Sequence, residues 1–192
     1  MNNEALPRLR KAGCLRGRSL VLRDAHPADA EFIVGLRTDA RKSRHLSATS
    51  PDVQRQRDWL AAYAARDNEA YFIIEDLEAH RLGTVRLYDP RGSSFCWGSW
   101  VMSDEAPASA AIESALMVYC YALDHLGFGA SHFTVHKANE SVWQFHERFG
   151  AVRRDEDEVQ YFYDIDREAI LASMQRYRRY LPKGLSGLET VK

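Results

Sequence analysis

The side chains best suited to chemistry in this sequence lie close together near its C-terminal end. Asn139, Ser141 and His146 fall within one segment whose apolar residues recur at helical spacing. An imidazole can donate a proton near neutral pH, and an amide or a hydroxyl can orient or assist a reacting group. Each residue also has a structural alternative. Asn139 is a good helix N-cap, Ser141 fits the first helical turn, and His146 could be a buried histidine satisfied by a neighbour.

Two further histidines are weaker candidates. His132 and His136 are four residues apart on a predicted strand, so they share one face of the sheet. Either could act as a base through a water molecule if that face lines a cleft, and a histidine without a chemical role is an equal alternative. No third ligand stands at a recognisable metal-site spacing, and the three cysteines are too scattered for a zinc site or a disulfide framework. We therefore predict no metal.

The overall composition excludes several classes of protein. The chain has 192 residues, 45% hydrophobic and 28% charged, which is typical of one globular domain rather than a disordered chain. Its 26 basic and 27 acidic residues give a net charge of -1, whereas a duplex-binding domain normally carries a basic surplus. No apolar run is long enough for a membrane-spanning helix or follows the basic N-terminus as in a secretory signal. We expect a cytoplasmic protein with neither nucleic acid nor membrane as a partner.

The hydrophobic periodicity predicts the elements that must position these side chains. In chain order it gives a strand, two helices, three strands, a helix, a strand, a helix, two strands and a final helix. This order predicts a three-layer α/β domain with a central mixed sheet of about 6-7 strands flanked by helices. The period of two is lost between Trp97 and Trp100, which indicates a β-bulge at Gly98–Ser99.

The same pattern divides the chain into three parts. The folded domain is expected to span residues 18–181. Residues 1–17 form a basic N-terminal arm, for which a mobile tail is favoured over a docking arm for an anionic partner. Residues 182–192 are expected to form a C-terminal tail.

The segment from Gly127 to Gly150 resembles the second half of the signature of the GNAT acyltransferase superfamily. In that signature a strand is followed by Asn, here Asn139, and by a small residue two positions later, here Ser141. The helix then ends in a Phe-Gly pair, here Phe149–Gly150. The order of predicted elements also matches, so the resemblance covers about residues 18 to 165. It implies a GNAT-like fold and the transfer of an acyl group from acyl-CoA to an amine.

The resemblance also implies where the acyl donor binds. In the family, the strand equivalent to residues 95–102 bulges and splays from the next strand, and the pantetheine arm of CoA lies in the gap. Backbone N–H groups near Trp100 and Val101 would then face the thioester oxygen and stabilise the developing oxyanion, and Met102 would also contact the donor.

The remaining chemistry falls to the following helix. Acyl transfer needs an acid for the departing thiolate, and the family uses a Tyr seven residues after the Asn. His146 stands at that position, so the resemblance makes it the acid. Asn139 would orient the end of the pantetheine arm, and Ser141 could assist the thiolate.

The first half of the signature is where this chain departs from the family pattern. Acetyl-CoA-binding relatives carry Gln/Arg-x-x-Gly-x-Gly/Ala, whose small residues let backbone N–H groups reach the pyrophosphate at a helix N-terminus. The aligned residues here are Ala108, Ser109, Ala110, Ala111, Ile112 and Glu113. We expect Ala108–Ala111 to bind the donor, although the Glu113 carboxylate would repel a diphosphate at short range. Either Glu113 turns away, into the site as the base for the amine, or this loop binds no CoA and the domain is a degenerate relative.

The acceptor is the partner that the resemblance defines least. A near-neutral charge and aromatic strands fit a small or nucleotide-linked amine, such as an amino sugar, better than a basic protein tail. The stretches 97–123 and 132–150 resemble GNAT proteins linked to bacterial surface-polysaccharide synthesis. Two alternatives stand beside this hypothesis: an N-terminal acetyltransferase of the ribosomal-protein type, and a non-catalytic GNAT-like binding domain. A homodimer is left open.

Overall fold

Eight strands form one sheet in the computed structural model, which describes residues 6–181. They are β1 (Cys14–Arg16), β2 (Leu20–Asp24), β3 (Ala70–Asp76), β4 (Arg81–Arg91), β5 (Ser94–Met102), β6 (Ala130–His136), β7 (Val152–Glu156) and β8 (Gln160–Asp166). The order across the sheet is β1-β2-β3-β4-β5-β6-β8-β7, and neighbouring strands are antiparallel except for β5 and β6. The predicted mixed central sheet is confirmed, with β1 as an additional strand.

Five α-helices cover the two faces of this sheet. They are α1 (Ala30–Thr38), α2 (Val53–Ala64), α3 (Ala108–Cys120), α4 (Glu140–Arg148) and α5 (Arg167–Arg176). Strand β3 shows the layering, because Phe72 and Ile74 pack into the core that holds α3, whereas Tyr71 and Ile73 pack with α1 and α2. The sheet is therefore the middle layer of three. Within residues 6–181, no helix combines the length and the hydropathy needed to cross a bilayer.

The N-terminal segment belongs to the folded domain, which corrects the predicted boundary at residue 18. Leu9, Ala12 and Leu15 are buried in the main core, and β1 pairs with β2. The ammonium of Lys11 donates hydrogen bonds to the carbonyls of Tyr63, Ala64 and Arg66 at the end of α2. The sequence pattern did not reveal this segment, because its apolar residues stand singly among basic ones and their spacing of three does not match the alternation of a strand. The predicted tail at 182–192 lies outside the described residues.

The predicted β-bulge is present in β5. Arg86 of β4 pairs with Gly98, but Thr84 pairs with Val101, so β5 contains an additional residue between these pairs. Ser99 takes a left-handed φ of 48°, and its carbonyl accepts a hydrogen bond of 2.7 Å from the hydroxyl of the buried Thr84. This bond fixes the bulge at the centre of the sheet.

Beyond the bulge, β5 and β6 separate. The two parallel strands pair only through Ser94–Ala130 and Phe95–Ser131, at the start of each strand. The hydroxyl of Ser131 donates a 2.8 Å hydrogen bond to the carbonyl of Phe95, which closes this end of the pair. The sheet therefore opens between the remaining parts of β5 and β6.

Candidate active site

The opening between β5 and β6 contains a cavity of about 260 Å³, which we call the gap cavity. Its walls include Gly98–Trp100 of β5, Phe133–His136 of β6, and Asn139, Val142 and His146 from the start and the inner face of α4. Strand separation removes the backbone pairing that would otherwise fill this space. The gap cavity is thus a slot with backbone on two sides and α4 beside it.

His146 lies at the wall of the gap cavity, among aromatic rings. Its ring centroid is 4.1 Å from that of Phe133 and 5.3 Å from that of Trp97. Burial in these apolar surroundings lowers the pKa of His146 to about 3. At pH 7 the ring is therefore neutral. The expectation of an imidazolium acid is corrected accordingly: this ring is neutral and can donate an N–H hydrogen bond.

Asn139 lies on the same wall as His146. It is the N-cap residue of α4, yet its side chain makes no capping hydrogen bond. The start of the helix is stabilised by the backbone instead, because the Asn139 carbonyl accepts hydrogen bonds from the N–H groups of Val142 and Trp143. Asn139 lines the gap cavity. Ser141, by contrast, is exposed in the first turn of α4 and does not line this cavity, so the structure does not bring it to His146.

The backbone N–H groups that were expected to face the donor point in two different directions. The N–H of Ser103 donates to the carbonyl of Leu82, so this pair is hydrogen-bonded across β4 and β5. Because bonded and non-bonded pairs alternate in an antiparallel ladder, the N–H of Val101 also faces β4, and that of Met102 faces the gap. This corrects the expectation for Val101. The indole of Trp100 donates a 3.1 Å hydrogen bond to the hydroxyl of Ser114 in α3 and forms part of the cavity wall.

The start of α3 keeps the features of an anion-binding helix end. Its N-cap is Pro107, which offers no side-chain acceptor, and its first turn contains no acidic residue. The N–H of the buried Ala110 is engaged with the carbonyl of Pro107, at 2.8 Å. The amides of Ala108 and Ser109 are helix-terminal donors that have no intrahelical acceptor. These two positions fit a phosphate best, with Ala111 as a small neighbour.

Glu113 is held away from the gap cavity. Its carboxylate is 1% exposed and accepts hydrogen bonds from the backbone N–H groups of Arg18, Ser19 and Leu20, at 2.7, 2.7 and 3.1 Å. The hydroxyl of Ser19 donates to the other carboxylate oxygen. Glu113 thus fixes the turn between β1 and β2, and the structure gives no support to the expected role as the base.

The two strand histidines have different surroundings. The Nδ1 atom of His132 lies 2.8 Å from the hydroxyl of Ser94, and its Nε2 atom lies 3.5 Å from Asp89, beside the β4–β5 hairpin. His136 lines the gap cavity at the end of β6. Of the two, only His136 meets the condition of facing a cleft.

A second cavity, of about 590 Å³, adjoins the first, and we call it the arginine cavity. Three guanidinium groups and two aromatic rings contribute to its lining: Arg37, Arg55, Arg86, Trp59 and Tyr71. Arg37, Ser47 and Ser99 line both cavities, so the two spaces meet at the bulge. Sequence patterns do not single out Arg37 or Trp59 as functional, because each lies in an ordinary amphipathic helix.

Arg37 contributes positive charge to the arginine cavity. Its guanidinium donates to the hydroxyls of Thr49 and Ser47, at 2.6 and 2.8 Å, and these neutral oxygens leave the charge uncompensated. Arg86 is paired with the carboxylate of Glu69 and lies 5.2 Å from the ring of Trp59. This cavity could hold a ligand with an anionic group and a flat ring.

Comparison with known proteins places this arrangement in a family. A family model described as an acetyltransferase (GNAT) domain matches residues 19–152. The structure of apo FdhC, described as a nucleotide-linked sugar GNAT, is 36% identical, with a TM-score of 0.79 over 88% of this chain and 98% of that chain. No curated protein sequence matches this chain.

More distant structures share the fold alone. A GCN5-related N-acetyltransferase from Brucella melitensis is 18% identical, with a TM-score of 0.76 over 94% of this chain and 90% of that chain. A mutant of the spermidine N-acetyltransferase SpeG from Vibrio cholerae is 15% identical, with a TM-score of 0.68 over 80% of this chain and 96% of that chain. The matched family model and the 36% identity to FdhC show that this chain belongs to the GNAT family of acetyltransferases.

Proposed function

We propose that this chain is an N-acyltransferase that moves an acetyl or other short acyl group from acyl-CoA to a primary amine. The acceptor is a small or nucleotide-linked amine, such as an amino sugar, and the amine attacks the thioester directly in a ternary complex. The observation that carries this proposal is the meeting of two cavities at the Ser99 bulge. A donor in one and an acceptor in the other would bring their reacting ends to the same point.

The gap cavity suits the acyl donor. A pantetheine arm is slender and carries amide groups, which can pair with the backbone edges that β5 and β6 leave free. The helix-terminal amides of Ala108 and Ser109 suit its diphosphate, since the dipole of α3 favours negative charge there. Asn139 lines this cavity together with His146 and would orient the pantetheine end.

The arginine cavity suits the acceptor. A nucleotide-linked sugar combines a flat base with a diphosphate, and Trp59 with Arg37 and Arg55 offers a ring and two cations for these groups. FdhC, at 36% identity, is described as a nucleotide-linked sugar GNAT, which favours the same class here. Spermidine-type polyamines would meet like charge at these arginines.

The chemistry follows from this placement. The amine nitrogen attacks the thioester carbon, a C–N bond forms, and the C–S bond breaks with its electron pair on sulfur. The N–H of Met102 faces the gap and would support the developing oxyanion. The neutral imidazole of His146 would donate an N–H hydrogen bond to the departing thiolate.

Thiol release from acetyl-CoA, measured against a panel of amines, tests the proposal. We expect the highest kcat/KM with a nucleotide-linked amino sugar, and lower values with the free amino sugar, spermidine and a peptide amine. Arg55→Gln should raise the KM for the nucleotide-linked amine about tenfold, the value of one charge-assisted contact, without changing the KM for the free sugar. Arg57→Gln is the matched control, because Arg57 is exposed on α2 and does not line the cavity.

The other outcomes identify the alternatives. Preferred transfer to the peptide amine would favour the N-terminal acetyltransferase. Absence of thiol release with every amine would favour a non-catalytic binding domain.

A further inference from the structure

Two histidines outside α4, His45 and His136, line the gap cavity close to each other. His45 ends the short 3-10 turn Ser43–His45 between α1 and α2, and His136 ends β6. Their ring centroids are 4.9 Å apart, and both residues line the cavity. Ser47, two residues after His45, lines both cavities, so this pair lies near the point where the donor and the acceptor would meet.

The two rings differ in what they can accept. A neutral imidazole has one nitrogen that carries hydrogen and one that accepts it. The Nδ1 atom of His136 already accepts a 3.1 Å hydrogen bond from the N–H of Ala138. Its hydrogen is therefore on Nε2, and His136 has no free nitrogen that could take a proton.

His45 has such a nitrogen. Within residues 6–181, its Nδ1 atom is shielded from water and has no hydrogen-bond partner. Buried polar atoms are nearly always paired in native structures, so an unpaired nitrogen in a residue that lines a cavity indicates a group that is satisfied when a ligand binds. The His136 ring, tilted by 37° against it, restricts how the His45 ring can turn.

We propose that His45 is the general base for the acceptor amine and that His136 is the residue that positions it. This inference rests on the proposed function. When the amine nitrogen forms its bond to the thioester carbon, it must lose one proton, and that proton passes to the imidazole of His45. The C–S electron pair goes to the thiolate, which would accept a hydrogen bond from the N–H of His146, a residue that also lines this cavity.

Substitutions at His45 test this assignment. His45→Phe keeps a ring against His136 and is expected to lower kcat about 100-fold, the lower end of general-base contributions, with the KM for acetyl-CoA within about twofold. His125→Phe is the matched control, because His125 is exposed at the end of the turn after α3. Added imidazole should restore part of the kcat of His45→Ala, which a purely structural role would not allow.

The outcomes separate this inference from the proposed function. If the wild-type protein transfers acyl groups and His45→Phe does so within about twofold, His45 is not the base. Failure of imidazole to restore His45→Ala would also overturn the assignment. If the wild-type protein transfers to no amine, the proposed function fails and this inference fails with it.

Discussion

Replacement of His146 by Phe is expected to lower kcat about 100-fold, because in the proposed mechanism the departing thiolate loses the N–H donor of His146. Phe fills nearly the same space among Phe133 and Trp97, so the gap cavity should keep its shape. The affinity for acetyl-CoA, measured by calorimetry, should change by less than about twofold. His146→Gln restores a side-chain N–H donor and should recover part of the lost rate.

The pH profile distinguishes how His146 acts. Because burial lowers the pKa of His146 to about 3, the ring stays neutral above pH 6, and its loss should lower kcat by the same factor from pH 6 to 9. An imidazolium acid would instead give a wild-type kcat that falls as the pH rises above the ordinary histidine pKa. Undiminished turnover in His146→Phe would remove this residue from the chemistry.

Replacement of Glu113 by Ala is expected to lower the free energy of unfolding by about 3–5 kcal/mol, because several donors lose their acceptor at a cost of about 1–3 kcal/mol for each that is buried. Three backbone donors, from Arg18 to Leu20, and the Ser19 hydroxyl would be left without their acceptor. Denaturant unfolding measures this loss. Glu168→Ala is the matched control, because Glu168 is exposed in the first turn of α5.

Glu113→Gln separates the structural role from a catalytic one. Its amide oxygen can still accept from the turn, so the variant should fold, and its kcat per folded molecule should match that of the wild-type protein. A stable Glu113→Gln protein that loses most of its kcat would restore Glu113 as a base and contradict the role assigned here.

Local sequence patterns predict much of this fold and of the candidate site. The apolar spacing in residues 139–148 predicts α4, and the loss of alternation in β5 predicts the bulge at Ser99. The helix and the bulge both depend on residues that are close in sequence, so the sequence alone predicts them. The placement of Asn139 and His146 on one wall follows from the helix that joins them.

Long-range contacts set the rest. Glu113 finds its partners in the turn before β2, and Lys11 finds its acceptors at the end of α2. Contacts between residues far apart in sequence leave no periodic pattern. For this reason the sequence alone indicates Glu113 as a candidate base and the N-terminal segment as a tail. The pKa of His146 depends on aromatic neighbours from two other elements, β5 and β6, and His45 reaches the cavity from a short 3-10 turn.

The central claim is that the gap between β5 and β6 admits acyl-CoA, and calorimetric titration with acetyl-CoA tests it most directly. We expect saturable binding at a ratio of one to one with a Kd of about 1–100 μM. Thr134→Trp places a large ring on an exposed residue of the cavity wall and should weaken binding at least about tenfold. Val152→Trp, on the exposed strand β7, should bind as the wild-type protein does. No heat at millimolar acetyl-CoA, or unchanged affinity in Thr134→Trp, would contradict the claim.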